Sequence, residues 1–214
     1  MYTLYWAPGT GSLAPQAVLE EIGAPYRLER VDMDAGEHRA SAYLLLNPNG
    51  LVPAMQDENG RALFESAALV MTLCDRHPQA APAPQPGDPA RGPFYQWLLY
   101  MADTIYPAYQ RFYYGERYST DPADAPRVRE KAHVDLLARW RILDDVLRDR
   151  GYLLGETYSA CDVYLLMLAT WFEPVEQLLE ACPHVARCAR TVAARPAVRR
   201  ALETHEQLDA LPGE

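Results

Sequence analysis

The residues able to do chemistry in this 214-residue chain gather at two helix starts. In Pro8-Gly9-Thr10-Gly11-Ser12 two hydroxyls flank a glycine just before a helix-like stretch running from Leu13 to about Ile22. Ser12 is placed as the N-cap, which ordinarily accepts a bond from the N–H of the second or third helical residue. The third is Pro15, which has no N–H, so the Ser12 hydroxyl retains only the Ala14 N–H and has a proton to point elsewhere. Glu65-Ser66 opens a second helix. Free N–H groups and the positive dipole end there can hold a carboxylate, Ser66 adds a donor, and Glu65 suits an ammonium. The ordinary alternative is a plain cap for Ser12, and a cap with an acid in the first turn for Glu65-Ser66.

Composition narrows the partners. A net charge of −9 argues against a nucleic-acid backbone or an anionic membrane surface, which need clustered Lys and Arg. No apolar run approaches the roughly 20 residues that span a bilayer, and the longest, Val163 to Thr170, fits a buried helix. Cys74, Cys161, Cys182 and Cys188 show no Cys-x-x-Cys spacing, and Met-Tyr-Thr-Leu-Tyr-Trp is no targeting segment. A reducing, cytoplasmic setting without a bound metal is expected.

The elements that must position these residues change in kind along the chain. Tyr2–Trp6 and Tyr26–Val31 are strand-like around the first helix, which Gly23 ends; this βαβ unit should be parallel with a right-handed crossover. After a loosely helical stretch, Glu37 to Leu46, a short strand follows Asn47-Pro-Asn-Gly-Leu-Val-Pro53. Asp57-Glu-Asn-Gly60 then turns it into Ala62–Phe64, an antiparallel pair, before the helix from Glu65-Ser66 to about Arg76. The order βαβ-ββα is the layout of a thioredoxin-like domain. Proline-rich sequence from His77 to Pro93 cannot continue a helix and reads as an extended linker.

Beyond it the pattern is helical. Trp97, Met101, Ile105 and Tyr109 recur at fourth-residue spacing within Phe94 to about Tyr114, and Val134, Leu137, Ile142 and Val146 mark a second helix over Val128–Leu147. Ser159-Ala-Cys-Asp162 is a capping box opening a third helix, and Pro174, Pro183 and Pro196 divide the tail. The expected fold class is α/β plus all-α: a thioredoxin-like domain over 1–78, a linker over 79–92 and a helical-bundle domain over 93–214.

Three pieces in this order, Asn47–Pro53, Phe64-Glu65-Ser66 and Gly155–Asp162, resemble the cytosolic glutathione transferase family across nearly the whole chain. Tyr5–Ala14 resembles bacterial members, including the beta class, except that the beta-class cysteine falls where this chain has Gly11. The resemblance implies a cis Val52-Pro53 bond that turns the Val52 N–H and C=O toward an antiparallel glutathione backbone. It implies a peptide site of Leu51, Val52, Pro53, Glu65, Ser66 and Ser12, with His38 and Arg39 at the glycine carboxylate. Lowering a thiol near pKa 8.5 by about two units takes roughly 2.7 kcal/mol, which one hydrogen bond to a charged acceptor nearly supplies, with the dipole of the helix from Leu13 adding to it. Ser12, then Thr10, then Tyr5 are the hydroxyls in order of preference. Asp103, Tyr106 and Tyr109 fall in the second-substrate region, Tyr106 where the beta class tends to have histidine; their aromatic neighbours Phe112, Tyr113 and Tyr114 suit a wall or helix packing equally.

The implied function is glutathione S-transfer to a small apolar electrophile by a cytoplasmic, detoxifying homodimer, with glutathione as co-substrate. A glutathione-dependent disulfide or peroxide reductase is an alternative, as is a non-catalytic binding protein that kept the fold.

Overall fold

Strand β1 (Tyr2–Trp6) is flanked on both sides, which is why Tyr2, Thr3 and Leu4 are all buried and the stretch reads as apolar and β-branched rather than alternating. The computed structural model describes residues 1–80 and 82–211. Residue 81, in the predicted linker, and residues 212–214, at the end of the predicted helical domain, lie outside the described residues. β1 pairs parallel with β2 (Tyr26–Arg30), Tyr2 opposite Tyr26, and antiparallel with β3 (Ala54–Gln56), which pairs antiparallel with β4 (Ala62–Phe64). The four-stranded order is β2-β1-β3-β4.

The β1–β2 crossover is helix α1 (Leu13–Ile22), ended by Gly23 in the left-handed conformation at φ 64°. Glu37–Arg39 forms a short 3-10 turn and α2 spans Ser41–Leu44; α3 (Ser66–Arg76) follows β4 directly. The fold is therefore the expected thioredoxin-like βαβ-ββα sheet followed by helices.

The proline-rich connection is strapped down. Pro82 C=O accepts the Ala160 N–H at 2.7 Å, and the Arg91 guanidinium bonds Pro84 C=O at 2.6 Å while pairing with Asp75. Helix α4 (Arg91–Tyr100) starts three residues before the predicted Phe94, because Pro93 fits the first turn, where an N–H has no intrahelical partner anyway. A π turn over Met101–Ile105 joins it to α5 (Tyr106–Tyr113). Pro107 accounts for it: its ring would clash with the carbonyl four residues back, and the widened turn lets the Tyr106 N–H reach Met101 C=O instead. Fourth-residue spacing drifts about 40° per step on an α-helix, and the π turn sets it back, so Met101, Ile105 and Tyr109 are all buried.

Helix α6 (Ala125–Leu147) corrects the expected face. Ala132, Leu136, Trp140, Leu143 and Leu147 point inward, whereas Val134 and Ile142 are exposed; Trp140 Nε1 donates to Tyr109 Oη at 3.0 Å and sets the rotation. Helix α7 (Ala160–Ala169) is buried throughout. Its capping box forms as expected: Asp162 accepts the Ser159 N–H at 2.8 Å and the Leu153 N–H at 2.8 Å, while burial pushes its carboxyl up to about 6. Helices α8 (Val175–Ala181), α9 (Pro183–Ala193) and α10 (Pro196–Thr204) begin at or just after the three prolines.

Just past α10, His205 is 1% exposed, lies 5.1 Å from the Trp6 ring, and has no hydrogen-bond partner on either ring nitrogen among the described residues. Burial pushes its pKa down to about 4. The folded protein thus binds this proton less readily than the unfolded chain, and the associated stability is present above pH ~6.5 and lost as pH falls toward 4. In urea unfolding, His205→Phe should lose about 2–3 kcal/mol less stability than the native protein between pH 7.5 and 4.5; equal losses would refute the assignment.

Candidate active site

A cleft of about 790 Å³ runs between the sheet domain and the helices. Thr10, His38, Arg39, Leu51 and Val52 line one side, and Tyr106, Tyr109, Tyr113, Tyr114, Tyr118 and Trp171 the other.

The loop before β3 is built to present Val52. Asn47, buried, donates from its amide to Leu51 C=O at 2.7 Å and accepts the Asn49 N–H at 3.1 Å; Tyr43 Oη adds a second donor to Leu51 C=O at 2.8 Å. Gly50 completes the turn at φ 60°, where a Cβ would also press the His38 carbonyl at 3.1 Å. The Val52-Pro53 bond is cis, as expected. Val52 follows with its N–H and C=O unbonded among the described residues and faces the cleft. These are open backbone groups at the edge of a pocket, the kind a peptide can pair with.

At the start of α3, Glu65 has φ 69° and ψ 108°, a conformation a side-chain-bearing residue holds only at a cost of about 1–3 kcal/mol. The strain turns its exposed side chain outward while its carbonyl still accepts the Leu69 N–H. Ser66 is buried and its hydroxyl shares a 2.8 Å hydrogen bond with Tyr164 Oη. Tyr164, on α7, is a partner that sequence spacing alone does not connect to Ser66.

The three hydroxyls at the α1 end sort themselves by what they already bond. Ser12 stands at the N-cap position with αR backbone angles, its C=O accepting the Gln16 N–H at 3.1 Å, but its hydroxyl makes no cap bond, not even the expected one from the Ala14 N–H. Its hydroxyl is fully buried, 2.7 Å from Thr10 Oγ1 and 3.3 Å from Ala7 C=O, and Thr10 Oγ1 lies 2.8 Å from the same carbonyl. Whichever way the two protons are arranged, both are used within this triangle. Only Thr10 of the pair lines the cleft. Tyr5 donates to Gln56 at 2.9 Å and packs against Tyr43, outside the cleft lining.

His38 is nearly buried with Nδ1 unbonded among the described residues, and Arg39 Nε donates to its other nitrogen at 3.2 Å; both line the cleft. Asp103 does not: it is exposed on the π turn and its charge is felt by Tyr164, on the α3 side. Tyr109 lines the cleft but its hydroxyl is held by Trp140, and burial raises its pKa well above the usual phenol value. Tyr113 and Tyr114 belong to the wall, whereas Phe112 packs away against His133. Trp171, Arg117 and Glu173 were not foreseen; they come from segments without a readable motif.

The chain matches the family models "Glutathione S-transferase, N-terminal domain" over residues 13–76 and "Glutathione S-transferase, C-terminal domain" over residues 97–196. It is 28% identical to Glutathione S-transferase GstA of Escherichia coli O157:H7, over 93% of this chain and 96% of that protein. With Maleylacetoacetate isomerase of Pseudomonas aeruginosa the identity is 30%, over 94% of both chains. Among solved structures, a glutathione transferase homologue from Sulfitobacter with bound glutathione superposes with TM-score 0.88 at 28% identity, covering 95% of this chain and 98% of that one. A sphingomonad glutathione S-transferase complexed with glutathione gives 0.83 at 27%, covering 95% and 98%. Both domains, in order and nearly end to end, are those of one enzyme family, and the chain belongs to it: the glutathione S-transferases.

Proposed function

We propose that this glutathione transferase ionises the thiol of a glutathione laid along Val52 and directs it at a small apolar electrophile held by the tyrosine and tryptophan wall. The observation that carries the reading is the unpaired Val52 backbone beside the open N-terminus of α3. The cysteinyl unit pairs with Val52. The γ-glutamyl carboxylate then reaches the first N–H groups of α3, with Glu65 opposite the ammonium. At the other end, Arg39 and His38 stand where the glycine carboxylate lands, and Arg39 enters no ion pair among the described residues. Leu51 and Pro53 flank the peptide, and Thr10, with Ser12 bracing it from behind, contacts the thiol end. Tyr106 and Tyr109 contribute aromatic surface that offers an apolar ring edge-to-face and stacked contacts.

Reaction at the bound sulfur, without a covalent protein intermediate, fits the thiols of the chain. Position 11 is glycine, and Cys74, Cys161, Cys182 and Cys188 are all free, buried and absent from the cleft lining. Burial pushes Cys74 and Cys182 up to about 12, so neither supplies a reactive thiolate. Four reduced cysteines also suit the cytoplasm, and a homodimer with a detoxifying role completes the proposal.

Calorimetry should show saturable binding of glutathione, and steady-state assays should give a higher kcat/KM with a generic aryl halide than with a mixed disulfide. Absence of binding would leave only the fold; the reverse preference would establish the reductase.

Glu65→Gly separates strain from function. Relief of the left-handed conformation, less the added freedom of the unfolded chain, should raise the unfolding free energy by about 0.5–1 kcal/mol. Loss of the carboxylate should weaken glutathione about tenfold, the equivalent of roughly 1.4 kcal/mol. A destabilised variant with unchanged affinity would contradict both halves.

A further inference from the structure

Gly11 sits where the two anchors proposed for glutathione converge. A Cβ built on it would lie 3.3 Å from Pro53 Cδ and 3.4 Å from Ser66 Cβ, so a thiol hung between Val52 and the α3 start faces Gly11. The nearest atom to that Cβ is neither of these. It is Tyr106 Oη, at 3.1 Å, closer than a side chain ordinarily tolerates. The phenol comes from the helical domain and occupies the room that any side chain at position 11 would need.

We infer that Tyr106 is the catalytic donor to the glutathione sulfur, its hydroxyl replacing the side chain that Gly11 lacks. The inference rests on glutathione lying as proposed above. Three independent observations carry it. First, the hydroxyl is uncommitted: Tyr106 Oη has no hydrogen-bond partner among the described residues, whereas Tyr109, Tyr113 and Tyr164 all have one. Second, the alternatives are spent, since Thr10 and Ser12 use both protons on each other and on Ala7 C=O, and Tyr5 bonds Gln56. Third, the residue is aimed. It is the first residue of α5, set by the π turn that Pro107 imposes, and its ring is held edge-to-face on Trp171 at 5.0 Å.

The protonation state suits donation. Burial, and secondarily the Glu65 carboxylate, hold the Tyr106 phenol well above its ordinary pKa, so it remains a neutral O–H throughout the physiological range. It therefore does not take the thiol proton. The S–H bond ionises with its proton passing to water in the open cleft, the sulfur keeps the electron pair, and the Tyr106 O–H donates a hydrogen bond to the thiolate. With an aryl halide, that pair then forms the C–S bond and halide departs with the pair of the broken carbon–halogen bond. A hydrogen bond to a charged acceptor of ordinary strength lowers a thiol pKa by about 1–2 units.

Tyr106→Phe tests this with little change of shape. Thiolate ultraviolet absorbance of the glutathione complex, titrated against pH, should show its inflection raised by about 1–2 units, and the pH profile of kcat/KM should move with it. Affinity for S-methylglutathione, which has no thiol to ionise, should change less than about threefold, a split that mere loss of packing would not produce. Gly11→Ala, which crowds the phenol, should raise the inflection in the same direction, and the double variant should add nothing further. An unmoved inflection in Tyr106→Phe with S-methylglutathione still bound overturns the role of Tyr106 alone. Failure of the native protein to bind S-methylglutathione overturns the glutathione reading and this inference together.

Discussion

Helix α1 is confined from every side, and the site inherits its precision from that confinement. Leu13 through Leu19 are all buried, including the polar Gln16, because α1 packs on α3 in its own domain and on α7 and α10 in the other. Gln16 reaches across to Thr204 at 3.0 Å, and its C-terminal end is pinned by Glu21 to Arg195 and by Glu20 to Arg200. A helix buried through its first seven residues cannot rotate or slide without opening a cavity, at a cost of several kcal/mol for each large side chain uncovered. The Pro8–Ser12 loop is therefore fixed in relation to both domains at once.

Three irregular stretches of backbone meet around that loop, where a Cβ on Gly11 would approach Pro53, Ser66 and Tyr106. They are the stretch after Gly50, which is in a left-handed turn, the start of α3 after the strained Glu65, and the π turn ahead of Tyr106. Each aims a group that regular secondary structure would have consumed: the Val52 amide, the α3 N-terminus and the Tyr106 hydroxyl. The supporting contacts are local and well satisfied, as Asn47 shows in holding Leu51 C=O while also accepting the Asn49 N–H.

The sheet domain was legible because its signals are local. Gly23 after an apolar helix, Asp57–Gly60 between short strands, and Pro53 after Val52 each act through the neighbouring backbone. So does the Ser159–Asp162 capping box. What escaped depends on distant partners. Of the expected α6 face, Leu137 and Val146 pack partly against the core while Val134 and Ile142 are exposed, because the helix turns inward on Trp140, whose partner Tyr109 lies thirty-one positions earlier. Ser12 takes the N-cap position that its sequence signals, but its hydroxyl answers to Ala7 and Thr10 rather than to the helix it precedes, and no local pattern shows that. Arg117 reaches the cleft from the turn after α5, and Trp171 and Glu173 from the segment after α7, with no motif linking the two places.

The same distinction bears on where the chemistry resides. In the proposed function, peptide recognition uses backbone groups of the sheet domain, which any sequence preserving that loop and helix start can offer. The aromatic wall and the phenol beside Gly11 belong to the helical domain and depend on side-chain identity. On that proposal recognition and reactivity belong to different layers of the molecule, meeting at a glycine that contributes by having no side chain. An added methyl at position 11 would displace Tyr106 rather than Pro53 or Ser66, because the end of a single tyrosine side chain yields more readily than a strand entrance and a buried helix start. The proposed thiol environment is therefore set by the helical domain, although the proposed peptide site lies in the sheet domain.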